Sequence, residues 1–137
     1  MSNSASRKYQ QIDHTADIGV DIWGNDLKEL FSHAAYALFD IAADIEHIAP
    51  RISTSMEVEA DDIEMLMVNW LNELIYRTSV EEMLYAKFDI AKVDSCQLSA
   101  TVYGEHYDPS RHKRPIEVKA ATYHDLCVEQ GQEGWHA

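Results

Sequence analysis

The chain has 137 residues and a net charge of −13. This length suits one domain, which buries roughly two-thirds of its unfolded surface and so forms one core without staples. With 46% hydrophobic residues, a wholly disordered chain is excluded. The electrostatic field of a protein with this negative net charge repels the phosphate backbone of a nucleic acid. We therefore expect no direct nucleic-acid binding, and instead a basic protein partner or a bound cation.

The polar N-terminus has no apolar segment of the kind that signal peptides carry, and no run approaches the roughly 18 apolar residues of a spanning helix. We expect a cytoplasmic protein without membrane contact, with residues 1–8 as a disordered tail and residues 9–137 as a single domain. Cys96 and Cys127 form no CxxC pair and lie in strand-like runs, which predicts two buried thiols.

The first half of the domain alternates strands and helices. Apolar residues at every second position from 18 to 23 predict a strand. Asp26 and Glu29 resemble a capping pair, and the apolar stripe that follows predicts a helix that ends before Pro50. Residues 52–60 alternate again and predict a second strand.

A second helix is predicted from about residue 62 to 82, with Asp61 and Glu64 as its capping pair and with Trp70 and Tyr76 as packing residues. Further strands are predicted around residues 84–90, 98–102, 116–120 and 126–128, with a polar loop at 104–115. Short links between consecutive strands imply antiparallel pairing. The sequence therefore predicts an α+β domain with two helices on a mainly antiparallel sheet.

The segment Asp13–Gly19, with the sequence DHTADIG, is the first candidate site. Hard cations prefer oxygen ligands, and Asp17 is placed to supply one. The spacing alone favours a plainer interpretation, in which Asp and Thr side chains satisfy backbone amides in a turn.

The segment 117–124 is the second candidate. On a strand, Glu117, Lys119 and Tyr123 share one face, where Lys119 would bind an anion or orient a carboxylate. The alternative is an ion pair on a solvent-facing side of the sheet. The basic run Arg111–Arg114 is more typical of a solvated loop than of a phosphate contact.

Other site motifs are missing from the sequence. It contains no phosphate-binding GxxxxGK[ST] loop, no GxSxG elbow and no HExxH helix. The seven histidines show no compact zinc spacing, and His33 is predicted to lie at the edge of the core.

Taken together, these blocks resemble the archease family from about Tyr9 to the end of the chain. The blocks that carry the resemblance are Asp13–Gly19, Gly24–Phe39, Trp70–Tyr76, Tyr103–Glu105, His112 and Glu117–His124.

The resemblance implies a compact α+β fold similar to that of the Hsp33 redox chaperone. It also implies a non-catalytic activator of an RtcB-type RNA ligase, which uses GTP and manganese to join a 3′-phosphate or 2′,3′-cyclic phosphate RNA end to a 5′-hydroxyl. Such an activator promotes guanylylation of a ligase histidine and multiple turnover in tRNA splicing and RNA repair.

The resemblance implies, in addition, a divalent metal, with calcium as the expected ion and Asp17 as its ligand. The functional pocket that it implies contains His14, Lys119, His112 and Glu105. Archeases normally end in a further strand with an aspartate that is the second metal ligand, whereas this chain stops at residues 134–137. We therefore expect an incomplete metal site and a truncated last strand.

Two other functions stay open. One is a chaperone-like module that binds proteins without any link to nucleotidyl transfer. The other is a small metal-dependent hydrolase that uses Asp17 and His14. The sequence disfavours the hydrolase, because it lacks a second clear acid cluster or a nucleophile paired with a base.

Overall fold

The computed structural model describes residues 9–13, 18–43, 45–110, 112, 129–131 and 134–136. The elements in chain order are β1 (Tyr9–Asp13), β2 (Ile18–Gly24), α1 (Leu27–Ala43), a single 3-10 turn (Ile45–His47), β3 (Ile52–Glu59), α2 (Ile63–Glu81), β4 (Met83–Val93), β5 (Gln97–His106), β6 (Glu129–Gly131) and β7 (Gly134–His136). Within these ranges no helix is long and apolar enough to cross a bilayer.

The strands form two antiparallel groups, β1-β2-β7-β6 and β3-β5-β4. Each pairing between described strands is antiparallel. The two helices pack on the β3-β5-β4 sheet, so the α+β prediction is confirmed. The last described strand, β7, pairs with both β2 and β6.

The start of α1 has the predicted capping pair. The Glu29 amide donates to Asp26 Oδ1 at 2.8 Å, and the Asn25 amide donates to Glu29 Oε1 at 3.0 Å. The Glu29 amide is one of those that helix geometry leaves without partners, and the Asn25 amide just before the helix is satisfied as well.

The start of α2 differs from the prediction by one residue. Asp62, not Asp61, is the N-cap, and its side chain accepts from the Met65 amide at 2.8 Å. The Ala60 amide donates to the carbonyl of Cys96 at 2.9 Å, which keeps the chain attached to the β4–β5 turn up to residue 60. The helix therefore begins later than the sequence pattern suggested.

Aromatic side chains join the two helices to each other and α1 to the sheet. Trp70 is fully buried, as predicted, and its Nε1 donates to the carbonyl of Phe31 at 2.9 Å. Phe39 packs edge-on against Tyr85 at 5.7 Å between ring centroids and stacks on Phe88 at 5.8 Å. Burial of side chains this large supplies most of the stabilising free energy of a small core.

Two predictions about buried side chains are wrong. Tyr76 is 55% exposed, because two residues along a helix from buried Leu74 correspond to a rotation of about 200°. Cys96 is exposed in the turn between β4 and β5, not buried in a strand. Cys127 lies outside the described residues.

The polar loop predicted at residues 104–115 begins later than expected. Strand β5 continues to His106, which pairs with Met83, so Glu105 lies in a strand. The sequence also gave no sign of β1, whose polar residues pair with β2. Gly104 lies where the backbones of β4 and β5 approach closely, and a Cβ there would collide with the carbonyl oxygen of Leu84.

Tyr85 is fully buried, and its hydroxyl has no hydrogen-bond partner in the described part of the chain. Burial raises the pKa of Tyr85, while the charge of Arg77 acts in the opposite direction and that of Glu81 in the same one. An ionised Tyr85 is therefore disfavoured in the folded state.

We predict that Tyr85→Phe leaves the free energy of unfolding at pH 7 within about 0.5 kcal/mol of wild type, since no hydrogen bond is lost. Above about pH 10 the unfolded wild-type tyrosine ionises while the folded one resists, so wild type should lose stability that the variant keeps. Urea titrations from pH 7 to 11 measure the difference. Parallel pH profiles would contradict this account of Tyr85.

Replacing the observed cap should cost more than replacing its neighbour. We expect Asp62→Ala to lower the free energy of unfolding by about 1 kcal/mol, because the Met65 amide loses its acceptor. Asp61→Ala removes the same charge one residue earlier and should stay within about 0.5 kcal/mol of wild type. Equal losses in urea denaturation would show that charge, not capping, governs the start of α2.

Candidate functional site

Two polar side chains, Glu105 and His112, meet at the end of β5. Both are buried, which is uncommon for polar or charged side chains in the described part of this chain. Glu105 is 6% exposed. Its Oε2 lies 2.8 Å from His112 Nε2 and accepts from the Ala49 amide at 2.7 Å. We call this arrangement of Glu105, His112 and the Ala49 amide the Glu105 clasp.

The turn after β5 delivers His112 to the clasp. Asp108 Oδ1 accepts from the amide and the hydroxyl of Ser110, at 3.0 and 2.8 Å, and the Asp108 carbonyl accepts from the His112 amide at 2.8 Å. The Tyr107 ring stacks on the imidazole with 6.1 Å between centroids. The Tyr107 amide donates to the carbonyl of Glu82 at 2.8 Å, which attaches this turn to the end of α2.

The hydrogen bonds of His112 determine its tautomer. The Asp108 amide donates to Nδ1 at 2.9 Å, so Nδ1 carries no proton. A neutral imidazole then has its proton on Nε2, which donates to Glu105 Oε2. Glu105 Oε2 accepts both hydrogen bonds, and hydrogen bonds to an ionised carboxylate are stronger than those to a neutral one.

Arg51 is the cation beside the clasp. Its Nε lies 3.8 Å from Glu105 Oε1, and its side chain is 68% exposed. Ion pairs this exposed contribute about 0–1 kcal/mol. The Arg51 amide also donates to the carbonyl of Gly104 at 3.0 Å, so the position of this residue is set by the backbone of β5.

This geometry favours a positioning role over chemistry at the imidazole. Both ring nitrogens of His112 are used in hydrogen bonds, so neither presents a lone pair to a metal or a substrate proton. Elsewhere among the described residues, no group of three His, Cys, Asp or Glu side chains is arranged to hold a metal ion. The clasp fixes three separate stretches of chain relative to one another.

The structure brings together two of the five predicted site residues, Glu105 and His112. The predictions for His14, Asp17 and Lys119 lie outside the described residues. His112 is buried, which corrects its assignment to a solvated basic run. The other three members of that run lie outside the described residues.

His33 lies at the edge of the core as predicted. It is partly buried, and its Nδ1 lies 2.6 Å from the carbonyl of Trp23. This contact joins α1 to the end of β2.

Ala49 and Asp108 were not predicted to take part in the site. An Asp-Pro-Ser sequence at 108–110 is a recognisable turn signal, which would have indicated that the chain folds back toward β5. Ala49 contributes only its main-chain amide, across 56 positions of sequence, and no residue pattern indicates such a contact.

Two substitutions of Glu105 should separate its shape from its charge. Glu105→Ala removes the acceptor of both the Ala49 amide and His112 Nε2, and we expect a loss of about 2–4 kcal/mol in the free energy of unfolding. Glu105→Gln keeps an acceptor oxygen at the same place and should lose about 1 kcal/mol. Chemical denaturation at pH 7 measures both, and equal losses would show that the carboxylate charge, not the acceptor, holds the clasp.

Comparison with protein-family models matches residues 9–137 to the Archease protein family. A protein archease from Pyrococcus furiosus is 36% identical to this chain over 135 residues, which are 96% of this chain and 95% of that protein. A protein archease from Methanosarcina acetivorans is 35% identical over 138 residues, with 98% and 94% covered.

Solved structures have the same fold. The solution structure of protein 1598 from Methanobacterium thermoautotrophicum matches with a TM-score of 0.76 and 30% identity, covering 94% of each chain. The crystal structure of an archease from Thermotoga maritima, named as a possible chaperone, matches with a TM-score of 0.62 over 93% of this chain and 91% of that one. At 22% identity, the second likeness concerns the fold alone.

Proposed function

The chain belongs to the archease family, and from this we propose that it is a cytoplasmic protein activator of a GTP-dependent RNA ligase of the RtcB type. The observation that carries the proposal is the match of residues 9–137, with relatives about 35% identical over nearly their whole length. In this role the chain makes no bond itself. It promotes guanylylation of the ligase and its multiple turnover on RNA ends from tRNA splicing and repair.

The chemistry of the described residues supports an activator more than an enzyme. The buried polar pair has its donors and acceptors engaged within the fold, which suits a framework and not a reacting group. The net charge of −13 opposes approach to RNA and favours a basic protein surface. An activator that binds the ligase, not the RNA, fits both observations.

We propose that Asp17, with Lys119 and His14, forms the part of the pocket that faces the ligase. A divalent ion such as calcium, which prefers oxygen ligands, would take Asp17 as a ligand. A bound cation of this kind would supply positive charge beside transferring phosphates. The clasp would hold the turn at residues 105–112, seven residues before Lys119, in one position.

A chaperone-like role is the second candidate. It is favoured by the exposed apolar residues Tyr76 and Val80 on α2. A protein-binding surface of this kind would serve either role, so an assay of function must separate them.

A multiple-turnover ligation assay tests the proposal. The ligase from the same organism is supplied in limiting amount with GTP, manganese and RNA ends bearing a 2′,3′-cyclic phosphate and a 5′-hydroxyl. We expect several ligations per ligase molecule with the chain present and about one without it. Asp17→Ala and Lys119→Ala should each lower the stimulated rate at least tenfold, which corresponds to about 1.4 kcal/mol, without changing the melting temperature.

Asp89→Ala is the matched control for Asp17→Ala, since Asp89 is an exposed carboxylate on β4 and its removal changes the net charge by the same amount. It should leave stimulation unchanged. Ligation that proceeds equally without the chain would contradict the activator role. If the chain instead suppressed aggregation of a heat-unfolded test protein such as citrate synthase, the chaperone-like role would replace it.

A further inference from the structure

Two large apolar side chains lie in solvent on the outer face of α2. Tyr76 is 55% exposed and Val80 is 60% exposed. Their spacing of four residues places them one turn apart on the same face of the helix. Trp70 and Leu74 on the same helix are buried, so α2 has both a buried and an exposed apolar part. We call Tyr76 and Val80 the α2 patch.

A third exposed apolar residue lies at the same end of the sheet. Ile52, 40% exposed, pairs with Gly104, which pairs with Tyr85, so the three form one row across the strands. The chain passes from the end of α2 at Glu81 into β4 at Met83, two residues before Tyr85. The end of α2 therefore lies beside the row that ends in Ile52.

This end of the molecule adjoins the Glu105 clasp. Gly104 directly precedes Glu105 in β5. Arg51, the neighbour of Ile52, has its Nε 3.8 Å from the Glu105 carboxylate. The carbonyl of Glu82, directly after α2, accepts from the Tyr107 amide in the turn that carries His112. A protein seated on the α2 patch would therefore lie beside the candidate site.

The surroundings of the patch are acidic. Arg77 pairs with Glu73 at 2.9 Å and with Glu81 at 3.7 Å, so its charge is already matched inside the helix. Glu82, also exposed, follows directly. These three carboxylates and one guanidinium leave two net negative charges around two apolar side chains, which is complementary to an apolar side chain flanked by lysine or arginine.

We propose that the α2 patch, with its border of Glu73, Glu81 and Glu82, is the docking surface for a basic segment of the ligase that carries an exposed apolar side chain. This inference rests on the proposed function, because the ligase is the partner to which it assigns the surface. Docking supplies affinity, and the neighbouring pocket supplies the stimulation. The two contributions are therefore separable by substitution.

Tyr76→Gln combined with Val80→Gln removes the apolar contact and keeps the helix, since glutamine is a better helix former than tyrosine or valine. In the ligation assay, with the chain titrated against a fixed amount of ligase, we expect the concentration for half-maximal stimulation to rise at least tenfold. The maximal stimulated rate should stay unchanged, because the clasp and the residues proposed for the pocket are intact. Sedimentation of the purified chain with the purified ligase measures the same loss without catalysis.

The acidic border is tested by Glu73→Gln combined with Glu81→Gln. Its matched control is Glu57→Gln combined with Asp89→Asn, which removes two exposed carboxylates from β3 and β4. Both doubles change the net charge by the same amount. We expect only the first to weaken binding and to reduce its dependence on salt between 50 and 300 mM.

The outcomes distinguish the two proposals. A wild-type chain that neither binds nor stimulates the ligase overturns the proposed function, and the docking surface with it. If wild type stimulates and the Tyr76/Val80 double variant does so at the same concentrations, the docking surface is overturned and the activator role stands. Equal weakening by the two carboxylate doubles would show that overall charge, not this border, attracts the ligase, and would also overturn the proposal.

Discussion

A carboxylate inside a protein must keep its hydrogen-bond donors, and Glu105 finds them far apart in the sequence. One donor is the Ala49 amide before β3, and the other is His112 at the end of the following turn. Losing either would leave a buried charge with fewer donors, which costs about 1–3 kcal/mol. The fold around the candidate site is therefore held by a polar requirement as much as by apolar packing.

The requirement extends outward through the histidine. His112 satisfies Glu105 only as the Nε2–H tautomer, and the Asp108 amide selects that tautomer by donating to Nδ1. The turn that carries His112 is also attached to the end of α2, because the Tyr107 amide donates a hydrogen bond to the Glu82 carbonyl. A helix end, a strand end and a loop are thus joined by hydrogen bonds around the clasp.

The regular elements of the fold were predictable because their signals are local. Apolar periodicity predicted α1, α2, β3 and β5, and the Asp26–Glu29 pair marked a true helix start. Tyr76 was misplaced because a tyrosine in an apolar stripe does not show which side of the helix it occupies. The resemblance placed Glu105 and His112 in one pocket, but the second hydrogen bond of Glu105, from the Ala49 amide, is a tertiary contact that no spacing encodes.

Gly104 carries an evolutionary consequence. Its missing side chain lets the backbones of β4 and β5 approach closely, and the group that a Cβ would strike is the Leu84 carbonyl, which is main chain and cannot rotate away. Any substitution of Gly104 would therefore force the two strands apart, whereas its neighbours in β5 can change side chain without this backbone clash. Evolution can therefore change the side chains at the end of β5 more easily than it can replace the glycine that lets this strand end pack against β4.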